Sequence, residues 1–167
     1  MTLQMLNIND ERILNYQLTD AQLEFTMHPV GASELAKNDF ERHLIGYDVD
    51  GELTTFFVLH EKEGVKDYSN NPNAILLRSF STDVRHLGKG YAKKALLELP
   101  HFIAWHFAHI DEVVLAVNLH NEIAQKLYFT VGFVDEGRRM QGRKGVLKVL
   151  TRKMKEKADA GTSTFNK

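Results

Sequence analysis

The sequence predicts an α/β domain with a mixed, mostly antiparallel central sheet and helices on both faces. A β-prone apolar run at residues 75–80 leads through a glycine loop into a helix-forming segment, and a second apolar run follows at residues 113–117. Two strands joined by one helix are expected to be parallel neighbours, because such crossovers are right-handed. Asp50-Gly51, between two further strand-like runs, is a strong hairpin signal and predicts antiparallel pairing.

The N-terminal half is expected to alternate short helices with strands. Asn9 or Asp10 can cap a first helix, and Thr19 with Gln22 forms the capping-box pattern that opens a second helix. Residues 27–41 contain Pro, Gly and Ser and are interpreted as a loop with about one helical turn. The predicted order is a strand at residues 3–8, helices ending near residues 18 and 26, the loop at 27–41, strands at 43–49 and 53–60, and a polar loop at 61–73.

The C-terminal half is expected to carry the longest helix and the remaining strands. Pro100 lies inside that helix, where it removes one N–H and clashes with the carbonyl of Leu96, so we expect a kink or a break. The run Val-Val-Leu-Ala-Val suits a buried parallel strand. The predicted order is a strand at residues 75–81, a helix at 89–107, a strand at 111–117, a helix at 121–131, and strands at 133–138 and 145–152.

Length and composition favour one globular domain. The chain has 167 residues, of which 43% are hydrophobic and 26% charged, and it shows no internal repeat. Residues 1–154 are therefore expected to form a single domain, and the polar residues 155–167 a flexible C-terminal tail.

Charge and cysteine usage exclude several classes of function. A net charge of −1 does not favour binding to nucleic acid or to an anionic membrane. The absence of cysteine excludes disulfides, thiolate metal sites and a cysteine nucleophile. No secretory signal or membrane span is recognised, so a cytoplasmic protein is predicted.

A glycine loop follows the strand at residues 75–81. Gly88 and Gly90 permit positive φ angles and close approach of a phosphate to the backbone. Successive loop amides and the positive end of the helix dipole suit a pyrophosphate. The loop lacks the third glycine of a dinucleotide fingerprint and the Gly-Lys-Ser/Thr of a P-loop. A simple turn into a helix is the structural alternative.

A second motif occupies the helix predicted at residues 121–131. Asn121, Ala124 and Tyr128 share one helical face, and an amide, a small residue and a phenol in one row suit an extended ligand. Structural alternatives exist for each residue. Asn121 can be an N-cap, Tyr128 a residue at the edge of the core, and Gly132 a helix C-cap.

Together the two motifs resemble the GNAT superfamily of acyl-CoA N-acyltransferases. The segment Arg-His-Leu-Gly-Lys-Gly at residues 85–90 matches the family loop Q/R-x-x-G-x-G/A, and residues 117–133 match V-N-x-x-N-x-x-A-x-x-L-Y-x-x-x-G-F. The resemblance covers residues 74–150 closely, and the N-terminal third only by the order of its elements. It implies the GNAT-type sheet, in which the two parallel strands splay apart to form the acyl-CoA cleft.

The resemblance implies acetyl-CoA (coenzyme A) as the cofactor. Backbone N–H groups of residues 87–91 would hold the pyrophosphate, the edge of the strand at 75–81 would pair with the pantetheine arm, and Asn121 would hydrogen-bond that arm. The candidate cofactor-binding residues are Phe80, Ser81, Arg85, His86, Leu87, Gly88, Lys89, Gly90, Tyr91, Ala92, Asn121 and Ala124.

The resemblance also assigns the catalytic candidates. Tyr128 would donate a proton to the leaving CoA thiolate, a role that suits a phenol with a pKa of about 10. With no cysteine present, the substrate amine would attack directly. Some family members carry a carboxylate on the strand before the loop, but here only Asp83, in the loop itself, is available. We therefore hypothesise that a water chain near Asn118 removes the amine proton, with His120 as a weaker candidate.

The predicted function is transfer of an acetyl group to a primary amine of a small metabolite, polyamine-like or amino. The alternatives are acetylation of a protein N-terminus or lysine, and a non-catalytic acyl-CoA sensor. A homodimer is left open. A polyamine would require an acidic pocket, for which the candidates are Glu34, Glu41, Asp48 and Asp50.

Two further features have structural interpretations. His101, His106 and His109 do not follow metal-ligand spacing, so no metal site is predicted. The basic tract at residues 138–148 is interpreted as a solvated hairpin that could border the acceptor site.

Overall fold

The computed structural model describes residues 1–154, and the tail predicted at 155–167 lies outside the described residues. The strands are β1 (Thr2–Met5), β2 (Arg42–Val49), β3 (Glu52–His60), β4 (Ala74–Thr82), β5 (Glu112–Asn118), β6 (Val134–Gly142) and β7 (Gly145–Lys153). The helices are α1 (Glu11–Leu14), α2 (Asp20–Leu23), α3 (Pro29–Ala36), α4 (Tyr91–His106) and α5 (Glu122–Thr130).

All seven strands form one sheet in the order β1-β2-β3-β4-β5-β7-β6. Among the described strands, only the β4–β5 pair is parallel, and α4 connects its two members. The other five pairings are antiparallel. The predicted mixed, mostly antiparallel sheet with one parallel pair is therefore confirmed.

Two apolar clusters place helices on both faces of the sheet. The larger cluster joins α4 and α5 to one face through residues such as Leu96, Tyr128 and Phe57. The smaller cluster joins α1 and α3 to the other face through residues such as Ile13 and Phe56. Phe56 and Phe57 are both fully buried, and they alternate between the two faces as neighbours in a strand must.

The local signals of the N-terminal half are confirmed. Asp10 caps α1 by accepting from the Arg12 N–H, and Thr19 and Gln22 form a complete capping box at α2. Asp50 and Gly51 both have positive φ, 52° and 86°, as a two-residue type I′ hairpin requires.

The loop predicted at residues 27–41 is wrong in one respect, because it contains the eight-residue helix α3. Pro29 occupies the first helical position, where its missing N–H costs nothing, and the His28 side chain caps the Val30 N–H. Ala32 and Ala36 then pack into the smaller cluster. Burial of one face stabilises a helix that its Gly and Ser do not favour.

Of the kink or break expected at Pro100, the break is absent, since α4 runs continuously from Tyr91 to His106. Pro100 has no N–H for the carbonyl of Leu96. A side chain from β7 takes the place of the missing donor, because Arg152 Nη1 donates to the carbonyl of Leu96 at 3.2 Å.

The helices of the described chain can be compared with the length and apolar character that a membrane-spanning helix needs. Within residues 1–154, no helix combines the length and the apolar character needed to cross a bilayer. The longest helix, α4, has 16 residues.

Candidate functional site

A cleft opens where the parallel strands separate. β4 and β5 pair through only three residue couples, the last being Leu76 with Val114. Beyond that point β5 continues along β7 as far as Asn118, and β4 continues along β3 as far as Thr82. The edge of β4 that faces β5 is therefore unpaired over its second half, which confirms the predicted splay.

A bulge in β4 lies at the same point. Its register with β3 shifts between Phe56 and Val58, and Ser79 has a φ of +57°. A bulge of this kind bends a strand and redirects the side chains that follow it. Phe80 then stacks on Phe57 with ring centres 5.7 Å apart and meets the Tyr128 ring edge-on at 5.9 Å. The strand and α5 thus contact each other across one side of the cleft.

Asp83 connects the segment before the glycine loop to the α1–α2 connection. Its carboxylate is fully buried and accepts from the Gln17 N–H at 3.0 Å and from the Arg85 N–H at 2.8 Å. Burial alone would raise the pKa of Asp83, but the hydrogen bonds from Arg85 and from Gln17 outweigh it and hold the pKa below its ordinary value. Asp83 is therefore a structural anion, and its buried position does not suit a proton acceptor for a substrate.

The side chains of two predicted cofactor residues have intramolecular partners. The Arg85 guanidinium grips Asp83 with two bonds of 3.0 and 2.7 Å and donates a third, of 3.0 Å, to the Asn15 carbonyl. The Ser81 hydroxyl lies 3.0 Å from the Tyr16 hydroxyl, which also donates to the Ser81 carbonyl at 2.8 Å. These residues connect β4 and the loop to the α1–α2 segment.

The glycine loop itself is exposed. Gly88 and Gly90 have φ angles of +79° and +81°, and a Cβ at either position would meet no atom within 4 Å. Gly90 is the N-cap of α4, and its carbonyl accepts the first helical hydrogen bond, from the Lys94 N–H at 3.1 Å. The amides at the start of α4 precede that bond and point away from the helix, where they can bind an anion.

Basic and acidic side chains lie together beside the glycine loop. His86 Nε2 lies 2.9 Å from a Glu52 carboxylate oxygen, and Lys89 Nζ lies 3.4 Å from His86 Nδ1. Tyr91 begins α4 and packs against the larger apolar cluster, and its ring carries Lys94 Nζ at 5.9 Å. Leu87 and Lys89 are exposed, while Ala92 is half-buried.

Both ends of α5 are fixed by capping. The Asn121 side chain accepts from the Ala124 N–H at 3.3 Å, so the N-cap interpretation of Asn121 is correct. At the other end, Gly132 donates to the Phe129 carbonyl at 3.2 Å and Phe133 to the Tyr128 carbonyl at 3.0 Å, with Gly132 at a φ of +104°. This is a Schellman motif, and it ties the backbone of Tyr128 directly to its cap.

Tyr128 lies at the wall of the cleft with 6% of its surface exposed. Its ring contacts Phe80 from β4 and Phe133 from the segment after α5. Burial raises the pKa of the Tyr128 phenol, so the group is neutral and protonated at physiological pH. Asn121 and Ala124 are half-buried along the same helix.

Asn118 ends β5 with its side chain already bound. Its Oδ1 accepts from the His120 N–H at 2.8 Å, and its Nδ2 donates to the Lys144 carbonyl at 3.1 Å. The backbone carbonyl of Asn118 also accepts from the Gln125 side chain at 3.0 Å. Asn118 therefore connects the start of α5 to the β6–β7 turn. Its role in proton removal stays a prediction.

The β6–β7 hairpin carries the basic tract and reaches two other segments. Lys144 Nζ lies 3.4 Å from a carboxylate oxygen of Glu24, the residue after α2. Arg138 Nη1 donates to the Tyr68 carbonyl in the β3–β4 connection. The hairpin thus contacts the end of α2 and the β3–β4 connection.

The four acidic residues proposed for a polyamine pocket are not brought together. Glu41 precedes β2 and Asp50 follows it, so about 30 Å of extended strand separates them. Glu34 pairs with Lys37 and Asp48 with Arg12. The four residues are candidates only if the fold brings them together, and the structure does not meet that condition.

One cluster with metal-binding residue types was not recognised in the sequence. Single ligand atoms of Asp39, Glu41 and His60 lie within 4.8 Å of one another. Arg42 Nε donates to Asp39 at 3.2 Å, and burial lowers the pKa of His60. The carboxylate of Asp39 thus already has a cationic partner.

Comparison with known proteins identifies relatives of this arrangement. A Bacillus subtilis (strain 168) protein described as uncharacterized N-acetyltransferase YbbJ is 42% identical over 137 residues, which span 81% of this chain and 86% of the relative. No protein-family model matches the chain.

Solved structures share the fold at low sequence identity. AAC(6')-Ib in complex with paromomycin and acetyl-CoA superposes with a TM-score of 0.72 at 16% identity, covering 98% of both chains. A chimera of the spermidine N-acetyltransferase SpeG from Vibrio cholerae and hSSAT superposes with a TM-score of 0.67 at 19% identity, covering 95% of this chain and 99% of the other.

Proposed function

Because this chain belongs to the GNAT superfamily of N-acetyltransferases, we propose that it transfers the acetyl group of acetyl-CoA directly to a primary amine of a small metabolite. The observation that carries this proposal is the cleft between β4 and β5, which has the exposed glycine loop at one end and Tyr128 in its wall. A free strand edge, a loop that could bind an anion and a protonated phenol would thus border the same cleft.

The cofactor would lie along β4. Backbone amides from about residue 87 to residue 91 would bind the pyrophosphate, helped by the positive end of the α4 dipole. The unpaired edge of β4 would hydrogen-bond the pantetheine arm like an added strand. Asn121 Oδ1 is occupied by its cap, which leaves its Nδ2 as the group that could donate to pantetheine. The complex of the fold relative AAC(6')-Ib with acetyl-CoA supports this choice of cofactor.

The side chains of Arg85 and Ser81 would act indirectly. Arg85 holds Asp83 and the Asn15 carbonyl, and Ser81 holds Tyr16, so both would shape the strand and loop that bind the cofactor. Phe80 would contact the cofactor through the face it presents beside Tyr128.

The reaction would need one proton donor and one proton acceptor. The neutral amine would attack the thioester carbonyl and form a C–N bond, and the C–S bond would break to release the CoA thiolate. The Tyr128 hydroxyl would protonate that thiolate, and its raised pKa keeps the proton available until the thiolate develops. The proton lost by the amine would leave through water, and water would return a proton to the Tyr128 phenolate.

The proton acceptor would be water near the end of β5. Asn118 would influence it by holding the β5–α5 turn in place, since both ends of its side-chain amide are bound. His120 is exposed beside this turn. Loss of Asn118 is therefore expected to reduce the rate less than loss of Tyr128.

The test is release of the CoA thiol from acetyl-CoA in the presence of an acceptor panel. The panel contains amino acids, diamines and polyamines, an aminoglycoside, and a lysine-containing peptide. Turnover with one small-amine class supports the proposal. Turnover with the peptide alone would point to protein acetylation, and tight acetyl-CoA binding without turnover on any amine would point to an acyl-CoA sensor.

A further inference from the structure

Arg78 occupies the position on β4 where the cleft begins. It follows Leu76, the last residue of β4 that pairs with β5, by two positions, and it precedes the bulge at Ser79. Because side chains two apart in a strand share a face, Arg78 lies on the same face as Leu76, whose cluster includes Val65 from the β3–β4 connection. That face is opposite to α4 and α5.

The Arg78 guanidinium is half-buried and lacks an anionic partner. Its hydrogen bond is to His60 Nδ1, at 3.4 Å, and within residues 1–154 no carboxylate lies at ion-pair distance from it. Four other arginines each pair with an aspartate: Arg12, Arg42, Arg85 and Arg139. Burial lowers the pKa of Arg78, and the neighbouring charge of Arg42 adds to this effect. A half-buried cation without a counter-ion is costly, and an anionic ligand would remove that cost.

The carboxylates of Asp39 and Glu41 lie beside His60, the hydrogen-bond partner of Arg78, and both already have partners. Asp39 is paired with Arg42, and Glu41 accepts a hydrogen bond from the Glu63 N–H. A polycation would therefore meet like charge at Arg78 itself.

We propose that Arg78 binds a carboxylate of the acceptor, so that the substrate is a primary amine that also carries a carboxylate, as an amino acid does. This inference rests on the proposed acetyl transfer and narrows its substrate class. The amine would reach the acetyl group beside the bulge, while the carboxylate would bind the planar guanidinium, which suits it in a two-point contact. The acceptor would thus differ in charge from spermidine.

The test compares matched ligands with and without the carboxylate. Binding of L-lysine against cadaverine, L-ornithine against putrescine, and L-methionine against 3-(methylthio)propylamine is measured by calorimetry on the protein saturated with CoA. We expect the carboxylate form of at least one pair to bind about tenfold or more tightly, as one charged hydrogen-bonded contact would give.

Two variants locate the preference. Arg78→Gln should abolish it while leaving the decarboxylated amine unaffected, and Arg78→Lys should retain part of it. Arg12→Gln, which removes an arginine that already pairs with Asp10 and Asp48, should leave the preference unchanged. Equal or tighter binding of the decarboxylated amine in every pair, or a preference that survives Arg78→Gln, would overturn the inference.

Thiol release with the same ligands separates this inference from the proposed function. Acetylation of cadaverine or putrescine without a carboxylate preference would support acetyl transfer and overturn the role of Arg78. A carboxylate preference that depends on Arg78, without any thiol release, would support the binding site and contradict the proposed enzyme activity.

Discussion

Arg152 Nη1 donates a hydrogen bond of 3.2 Å to the carbonyl of Leu96, the carbonyl that Pro100 deprives of its helical donor. Leu96 is fully buried, so water cannot easily take the place of that donor. A residue of β7 thereby supplies the hydrogen bond that the carbonyl of Leu96 cannot receive from Pro100. A hydrogen bond from the sheet thus holds α4, the helix that begins at the glycine loop.

Replacing Arg152 is expected to destabilise the protein in a way that depends on Pro100. Arg152→Met should lower the free energy of unfolding by about 1–3 kcal/mol, because it leaves a buried carbonyl without a donor. Pro100→Ala restores a backbone N–H at that carbonyl, so Arg152→Met should cost less in that background. Urea unfolding of the two single variants and the double variant measures the difference. An equal cost of Arg152→Met in both backgrounds would contradict this account of the helix.

The glycines of the loop are expected to matter for the cofactor more than for folding. Gly88→Ala places a Cβ at a φ of +79°, which costs about 1–2 kcal/mol of stability, and it alters the amides proposed to bind the pyrophosphate. The KM for acetyl-CoA should rise about tenfold or more. Gly51→Ala, at a φ of +86° in the β2–β3 turn, is the matched control, with a similar loss of stability and an unchanged KM. A rise in KM for both variants would show that general destabilisation is responsible.

Stability is expected to depend on pH through Asp83. The pKa of Asp83 is lowered in the folded protein, so this carboxylate stabilises the fold above its ordinary pKa of 3.8, and the contribution is lost as pH falls below that value. Asp83→Asn should therefore lower the free energy of unfolding by about 1–3 kcal/mol at pH 7, and the gap should narrow as pH approaches 4 and below.

Thermal unfolding of wild type and Asp83→Asn between pH 7 and pH 3.5 measures this gap. Asp135→Asn removes a carboxylate that pairs with Arg139 in β6, away from the glycine loop, and it is the control for the effect of Asp83→Asn on cofactor binding. It should leave the KM for acetyl-CoA unchanged, whereas Asp83→Asn should raise it. A gap that stays constant with pH would show that Asp83 does not stabilise the fold through its charge.

Local signals of the sequence predicted most of the fold. The Asp50-Gly51 turn, the Thr19 capping box and the glycine loop each depend on a few adjacent residues, and each is found in the structure. The parallel pair followed from a strand, a helix and a strand in order. These features could be predicted because their causes lie within the segment itself.

The errors involve partners that are distant in the chain. No break occurs at Pro100, where the Leu96 carbonyl accepts from Arg152, 56 residues further along the chain, and α3 packs against the sheet. The role of Asp83 depends on Gln17, 66 residues earlier, although an Asp directly after a strand and two residues before Arg85 is a recognisable cap.

The catalytic assignment is tested most directly by Tyr128→Phe. This change keeps the ring against Phe80 and Phe133 but removes the hydroxyl, so folding and the Kd for acetyl-CoA should be unchanged. We predict a fall in kcat of about 100-fold or more with the best acceptor, the usual loss for a general acid. Because burial raises the pKa of Tyr128, the wild-type kcat should also show no loss of this donor up to about pH 10. A kcat within about twofold of wild type, with acetyl-CoA binding intact, would contradict the role of Tyr128 as proton donor.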